Sequence, residues 1–244
     1  RGVIFAMAKR LILTSILCIC CSPLYANNKI DLVTFDYPPL VEIDDDGQVK
    51  GTSWNVVKRL LIKTQISHTL TIKPAERGLF TTSNRENTCI FPIDRTQKRE
   101  ALFSWVGPIA INQYAFYSAP DESIPLLTLA DAKDYNMTTY LGASIGGYLK
   151  GKGFNIRQTG SMKQGLLMLK YNRTDLWVSD VNSANKLAQK YQIELGEPEL
   201  VFFTSINYMA CHPEMPSAQL KKMEQALNEM YISSEIQELL HVDL

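Results

Sequence analysis

The chain has 244 residues, 45% of them hydrophobic, with 25 basic and 25 acidic side chains. That is enough apolar material to bury a core, in one large domain or two lobes of ordinary size. It excludes a disordered or fibrous polymer, and a balanced charge gives no electrostatic footprint for nucleic acid or an anionic membrane.

At the start, Lys9 and Arg10 precede the apolar run "LILTSILCICC", and "SPLYA" follows with Ala26 as a small residue at a cleavage point. The run is shorter than the roughly 20 apolar residues a helix needs to cross a bilayer. Residues 1–26 therefore read as a Sec-type signal peptide initiated at Met7, with an exported mature chain beginning near Asn27. Cys18, Cys20 and Cys21 follow Leu17, Ile19 and Cys20, not the small residue expected before a lipidated cysteine. Removing Arg1, Lys9 and Arg10 leaves 22 basic against 25 acidic residues, a mildly acidic mature protein.

"KIDLVTF" predicts the first strand, ended by the two prolines of "DYPPL", and "DDDGQ" a turn. After Gly51, "TSWNVVKRLLIKT" predicts a hydroxyl-capped helix that buries Trp54, Val57 and Leu61. "HTLTIKP" predicts a second strand, "PAERGLFTT" a short helix opened by Pro74, and "TCIFPI" a third strand. Alternation of strand and helix predicts a mostly parallel sheet covered on both faces. Ligands of such sheets bind beyond the strand carboxyl ends, where Tyr37 and the charge run Asp94–Arg99 fall together.

A second unit repeats the plan. "NMTTYLGASIGGYLKGKGF" predicts a strand, a glycine-rich turn and a helix; "SMKQGLLMLKYNRT" a helix, "DLWVSD" a buried strand, and "VNSANKLAQKY" a helix starting after Asp180. "INQYAFYSAP" and "SINYMACHPE" bracket this unit and predict paired connecting strands. The last helix carries Leu220, Met223, Leu227 and Met230 on one stripe, is capped near Ser217, and is expected to return to the first lobe. The division is then residues 27–115 for the first part of lobe 1, 116–205 for lobe 2, and 206–244 for the return to lobe 1.

Beyond the signal only Cys89 and Cys211 remain, which in an exported protein form one disulfide or none. His68, His212 and His241 have no zinc spacing and form no catalytic pair, so neither metal nor cofactor is expected.

The ordered set "TFDYPPLVEIDDDGQVKG", "PAERGLF", "IFPIDRTQKREALFSWVGPI", "LGASIGGYLKGKGF" and "LWVSD" resembles the bacterial extracellular solute-binding proteins of family 3, the polar amino acid binding components of ABC importers. The resemblance spans nearly all of residues 29–240. It implies an α/β, two-lobed periplasmic-binding-protein-like clamp, with two mostly parallel sheets flanked by helices and joined by two hinge strands. It also implies a monomer that performs no chemistry, a small polar ligand, and an inner-membrane ABC permease as partner.

Residue by residue, the resemblance makes Arg99 of "TQKR" the clamp for a ligand carboxylate, chemistry that suits a planar guanidinium fork. Asp180 would take the ligand's ammonium group or cap the following helix. Gly142, Ala143 and Ser144 form a turn whose backbone N–H groups can hold a carboxylate. Tyr37 would stand at the mouth of the first lobe, with Trp105 as core or cleft wall. Three features depart from the pattern: Asp94 stands where many members carry a hydroxyl, Pro92 has no N–H to donate, and the helix after Gly51 opens "TSWN" where many members have an acidic residue. A carboxylate at position 94 repels one on a ligand, unless Arg95 offsets it. A sensory role beside a membrane receptor, or a dehydratase-like lyase using Glu76, Asp94 or Glu100, are the other functions open to such a scaffold.

Overall fold

The computed structural model describes residues 29–241. The predicted signal peptide lies outside the described residues.

Strand β1 (Lys29–Thr34) pairs in parallel with β4 (Ser67–Ile72) on one side and β5 (Thr88–Asp94) on the other. Successive side chains of a strand face opposite ways, and both faces of β1 are covered. Ile30 and Leu32 join Val56 and Leu60 of helix α1 (Thr52–Thr64) in one cluster, whereas Val33 and Ile90 meet helix α2 (Ala75–Asn84) on the other side. The short hairpin β2 (Glu42–Ile43) and β3 (Val49–Lys50) closes over the turn at Asp44–Gly47, where Asp44 Oδ1 accepts from the N–H groups of Asp46 and Gln48.

Helix α1 corrects one expectation. Its N-cap is Gly51 with no side-chain cap, and the backbone N–H groups of Thr52 and Ser53 donate instead to the carbonyls of Pro39 and Leu40. Those bonds supply the partners that a capping hydroxyl would otherwise provide. The buried stripe is Val56, Val57, Leu60 and Leu61, with Trp54 half-buried and stacked on Phe91.

The second unit consists of β7 (Met137–Tyr140), α3 (Ser144–Gly151), β8 (Ile156–Thr159), α4 (Met162–Lys170), β9 (Leu176–Asp180) and α5 (Val181–Tyr191). Its strands run parallel in the order β9-β7-β8. Ser161 caps α4 by accepting from the Gln164 N–H, and the bare Cα of Gly165 lets α4 sit directly on the indole of the buried Trp177.

Two long strands join the units. β6 (Ser104–Tyr117) and β10 (Leu200–Cys211) pair antiparallel along most of their length, with Asn112 opposite Ser205. β10 also pairs with β5 of the first unit, and β6 with β9 of the second. The two parallel half-sheets are thus segments of one eight-stranded ladder, β4-β1-β5-β10-β6-β9-β7-β8. The β10 register shifts between Asn207 and Ala210, beside Pro92 of β5 and Pro108 of β6, which have no N–H to give the ladder.

Helices α6 (Ser217–Ile232) and α7 (Glu235–His241) return to the first lobe, with Met223, Ala226, Leu227 and Met230 buried against the α1 side of the sheet. Ser217 is the first helical residue after an N-cap at Pro216, rather than a cap itself. Glu235 is salt-bridged to Arg59 and Lys63 of α1, each at 3.1 Å. The cysteine alternatives resolve to a bridge: Cys89 and Cys211 face each other across β5 and β10 and form a disulfide.

Candidate functional site

The carboxyl ends of four parallel strands meet between the lobes. β1 leads into Tyr37, β5 ends at Asp94, β7 leads into Gly142 and β9 ends at Asp180. Chain direction alone makes these residues neighbours.

Asp94 is 5% exposed and receives donors from three elements. The Asn207 amide donates to its Oδ1 at 2.6 Å, since Asn207 is its register partner on β10. The Tyr114 hydroxyl donates to Oδ2 at 3.1 Å, and the Ser144 hydroxyl of the second lobe donates to the same oxygen. Asp94 therefore receives a bond across the seam between the lobes.

Arg99 also crosses that seam. One terminal nitrogen donates to the Asp94 carbonyl at 3.3 Å and the other to the Gly142 carbonyl at 2.8 Å. Gly142 has φ +95°, and a Cβ there would stand 3.0 Å from Ala75 Cβ and from the Glu76 nitrogen on α2 of the first lobe. Only glycine adopts this conformation cheaply, and its bare Cα sets how closely the lobes approach.

Asp180 is 1% exposed. Its Oδ1 caps α5 by accepting from the Ser183 N–H at 2.9 Å, while its Oδ2 has no hydrogen-bond partner among the described residues. Burial pushes its carboxyl up to about 6, outweighing the hydrogen bonds of Ser183 and the approach of the Tyr37 hydroxyl, which favour the charged form. The Ser183 hydroxyl donates across the seam to the Pro38 carbonyl.

Tyr37 is not at a mouth. It is 1% exposed, accepts from the Asn112 amide at 2.9 Å, and its hydroxyl lies 3.3 Å from that of Tyr114. Its ring packs on Phe35 and edge-on to Tyr140 of the second lobe. Closing the lobes over the rim covers it, and burial holds the Tyr37, Tyr114 and Tyr140 phenols neutral by raising their ionisation above the ordinary range.

Arg95 does not offset Asp94. Its guanidinium turns outward to Glu100 at 2.9 and 2.5 Å, lying over the rings of Trp105 and Tyr208. Glu100 is thereby committed to an exposed ion pair, and Trp105 is the largely buried platform beneath it.

Beside the seam lies a cavity of about 600 Å³, within the range of small-molecule sites. Arg95, Lys98, Arg99 and Glu76 border its polar side, the Gly142–Ser144 turn its base, and Ile145, Tyr148 and Phe203 its apolar wall. Asn112, Tyr114 and Asn207, which tie the seam together, escape motif reading because they lie in the connecting strands. Asparagine is depleted in strands, so one in each of "INQY" and "INYM" was the available signal.

No protein-family model matches the chain, and no curated protein matches it in sequence. Solved structures do match in fold. A histidine kinase sensor domain with similarity to periplasmic binding proteins is 15% identical, with a TM-score of 0.80 over 86% of this chain and 93% of that one. A mutant of the arginine-binding protein ArgBP from T. maritima is 16% identical, with a TM-score of 0.77 over 87% and 93%. The ancestral amino acid-binding protein AncCDT-1, a precursor of cyclohexadienyl dehydratase, is 16% identical, with a TM-score of 0.73 over 87% and 93%. The chain has the two-lobed fold of periplasmic binding proteins.

Proposed function

We propose that the chain is a periplasmic member of solute-binding protein family 3 that closes its lobes over a small polar molecule and delivers it to an ABC importer. The observation carrying this reading is the seam: Asp94 to Ser144, Arg99 to Gly142 and Ser183 to Pro38 each join the lobes at the strand carboxyl ends, beside a cavity of ligand size. Among the described residues, strands β6 and β10 are the only sheet connections in the ladder between the half-sheets, which is where a clamp hinges. In this reading binding proceeds without chemistry, and Asp94 serves to hold the seam through the Tyr114 and Ser144 hydroxyls and the Asn207 amide.

Native mass spectrometry of the purified chain, followed by a thermal-shift screen of amino acids, amines and small acids, tests it. The expected result is a one-to-one adduct and a saturable rise in melting temperature; turnover of the bound compound to a new mass refutes pure binding. A sensory role is the second reading, favoured by the likeness to a kinase sensor domain. Deleting the gene separates the two, because import predicts lost solute uptake, and sensing predicts intact uptake with a lost response.

A further inference from the structure

The donors nearest Asp94 and Tyr37 are spent on protein acceptors. Tyr114, Ser144 and Asn207 donate to Asp94, and Asn112 donates to Tyr37. The acceptors are not matched in the same way. Asn112 Oδ1 and Asn207 Oδ1 are buried without a hydrogen-bond partner among the described residues, and the Asp180 carboxyl, beyond its Ser183 partner, is approached by the Tyr37 hydroxyl as a donor. Asn112 and Asn207 are at most 1% exposed, and their amides already reach into the cluster through their nitrogens.

The hydroxyls of Tyr117, Ser179 and Ser205 on the same strands are also buried without a partner among the described residues, so what distinguishes this centre is its charge. It holds two buried carboxylates, Asp94 and Asp180, against the single guanidinium of Arg99, which is directed at two main-chain carbonyls. A ligand carboxylate arriving here adds a third negative charge and further acceptors. An ammonium or guanidinium supplies several N–H donors and the missing positive charge.

We infer that the solute is a small organic cation, a primary amine or guanidine, whose charged head is received by Asp94 beside the Ser144 hydroxyl, where a smaller cavity bordered by Asp94 adjoins the larger one, with no carboxylate clamped by Arg99. Arg99 is then a positioning residue that draws the Gly142 turn of the second lobe onto the first. The Ser144 hydroxyl, which lines the cavity and donates to Asp94, is the group the incoming head displaces or joins. Of the basic rim, Arg95 is neutralised by Glu100, Arg99 is directed at two main-chain carbonyls, and Lys98 shares the border with Glu76. The body of the ligand lies against Ile145, Tyr148 and Phe203.

This inference rests on the binding reading above, and the test separates the two. Calorimetry and thermal shift on the wild-type chain compare butylamine, 1,4-diaminobutane and 4-guanidinobutylamine with glutarate and 4-aminobutyrate. The expected result is that at least one carboxylate-free cation binds ten-fold or more tighter than either acid, and that Asp94→Asn loses at least ten-fold of that affinity while circular dichroism stays native. Asp94→Ser is expected to gain affinity for glutarate. Tighter binding of glutarate or 4-aminobutyrate to the wild type overturns the cation assignment and leaves the clamp standing, as does unchanged amine affinity in Asp94→Asn. Failure of every compound in this panel and in the wider screen removes the clamp as well.

Discussion

Replacing Asp180 by asparagine probes the seam without disturbing the fold around it. Asparagine caps helices as well as aspartate does, so the bond from the Ser183 N–H to position 180 is retained. What disappears is a carboxyl whose ionisation in the folded chain is displaced from the ordinary 3.8 to about 6 by burial. Between those two values the folded state holds a proton that the unfolded state has released. Wild-type stability therefore falls as pH rises through that window and stays reduced above it. The displacement corresponds to about 3 kcal/mol, and the residue's near-complete burial leaves little solvent screening to reduce it. Asp180→Asn is expected to match the wild type at pH 4 and to exceed it by up to about 3 kcal/mol at pH 7.5. For a chain of this size that is a melting-temperature gain of about 6–12 °C. Thermal unfolding by circular dichroism at pH 4, 5, 6 and 7.5, without added solute, reads it directly. Parallel melting curves for the two proteins across that range would refute a buried, protonation-linked carboxyl.

Other perturbations test the frame around the site. The Cys89–Cys211 bridge closes a loop of 122 residues, so the double replacement by alanine should cost up to about 5 kcal/mol by chain entropy; an unchanged urea midpoint with and without reductant would count against it. Gly142→Ala puts a Cβ 3.0 Å from Ala75 and Glu76 at a positive φ, a strain of about 1–2 kcal/mol. The variant should show a larger radius of gyration in solution scattering and weaker solute binding, and an unaltered radius would remove Gly142 from the control of closure. Gly165→Val drives side-chain atoms into the Trp177 indole, whose Nε1 lies 2.5 Å from the first added carbon. It should lower the denaturation midpoint by the equivalent of about 1–3 kcal/mol or more, with native-like stability as the contrary result.

Strand and helix order, the two repeated units and the pair of connecting strands follow from local pattern, because hydrophobic period, proline and turn residues act within a few positions. The same local logic places Asp94 and Arg99 at a strand end, since both follow "CIFPI" directly. It also exposes Asp180 as a helix cap, a role the structure realises through Ser183. Tyr37 was legible as a residue after the first strand, but not as a buried one, because the second lobe covers it with Tyr140. The partner of Arg95 was equally out of reach: Glu100 and Asp94 are both near in sequence, and side-chain direction decides between them.

What the sequence by itself determined is the element order and the set of residues at the strand ends, properties of short segments and of chain direction. The tertiary structure alone decided how the connecting strands register: Asn207 opposite Asp94, Tyr114 opposite Asp180 and Cys211 opposite Cys89. Register over such separations is set by packing of both sheet faces, and a one-residue slip would turn each of these side chains to the other face. The setting of the two buried carboxyls between the lobes arises from that register, and with it the inferred preference for a cation.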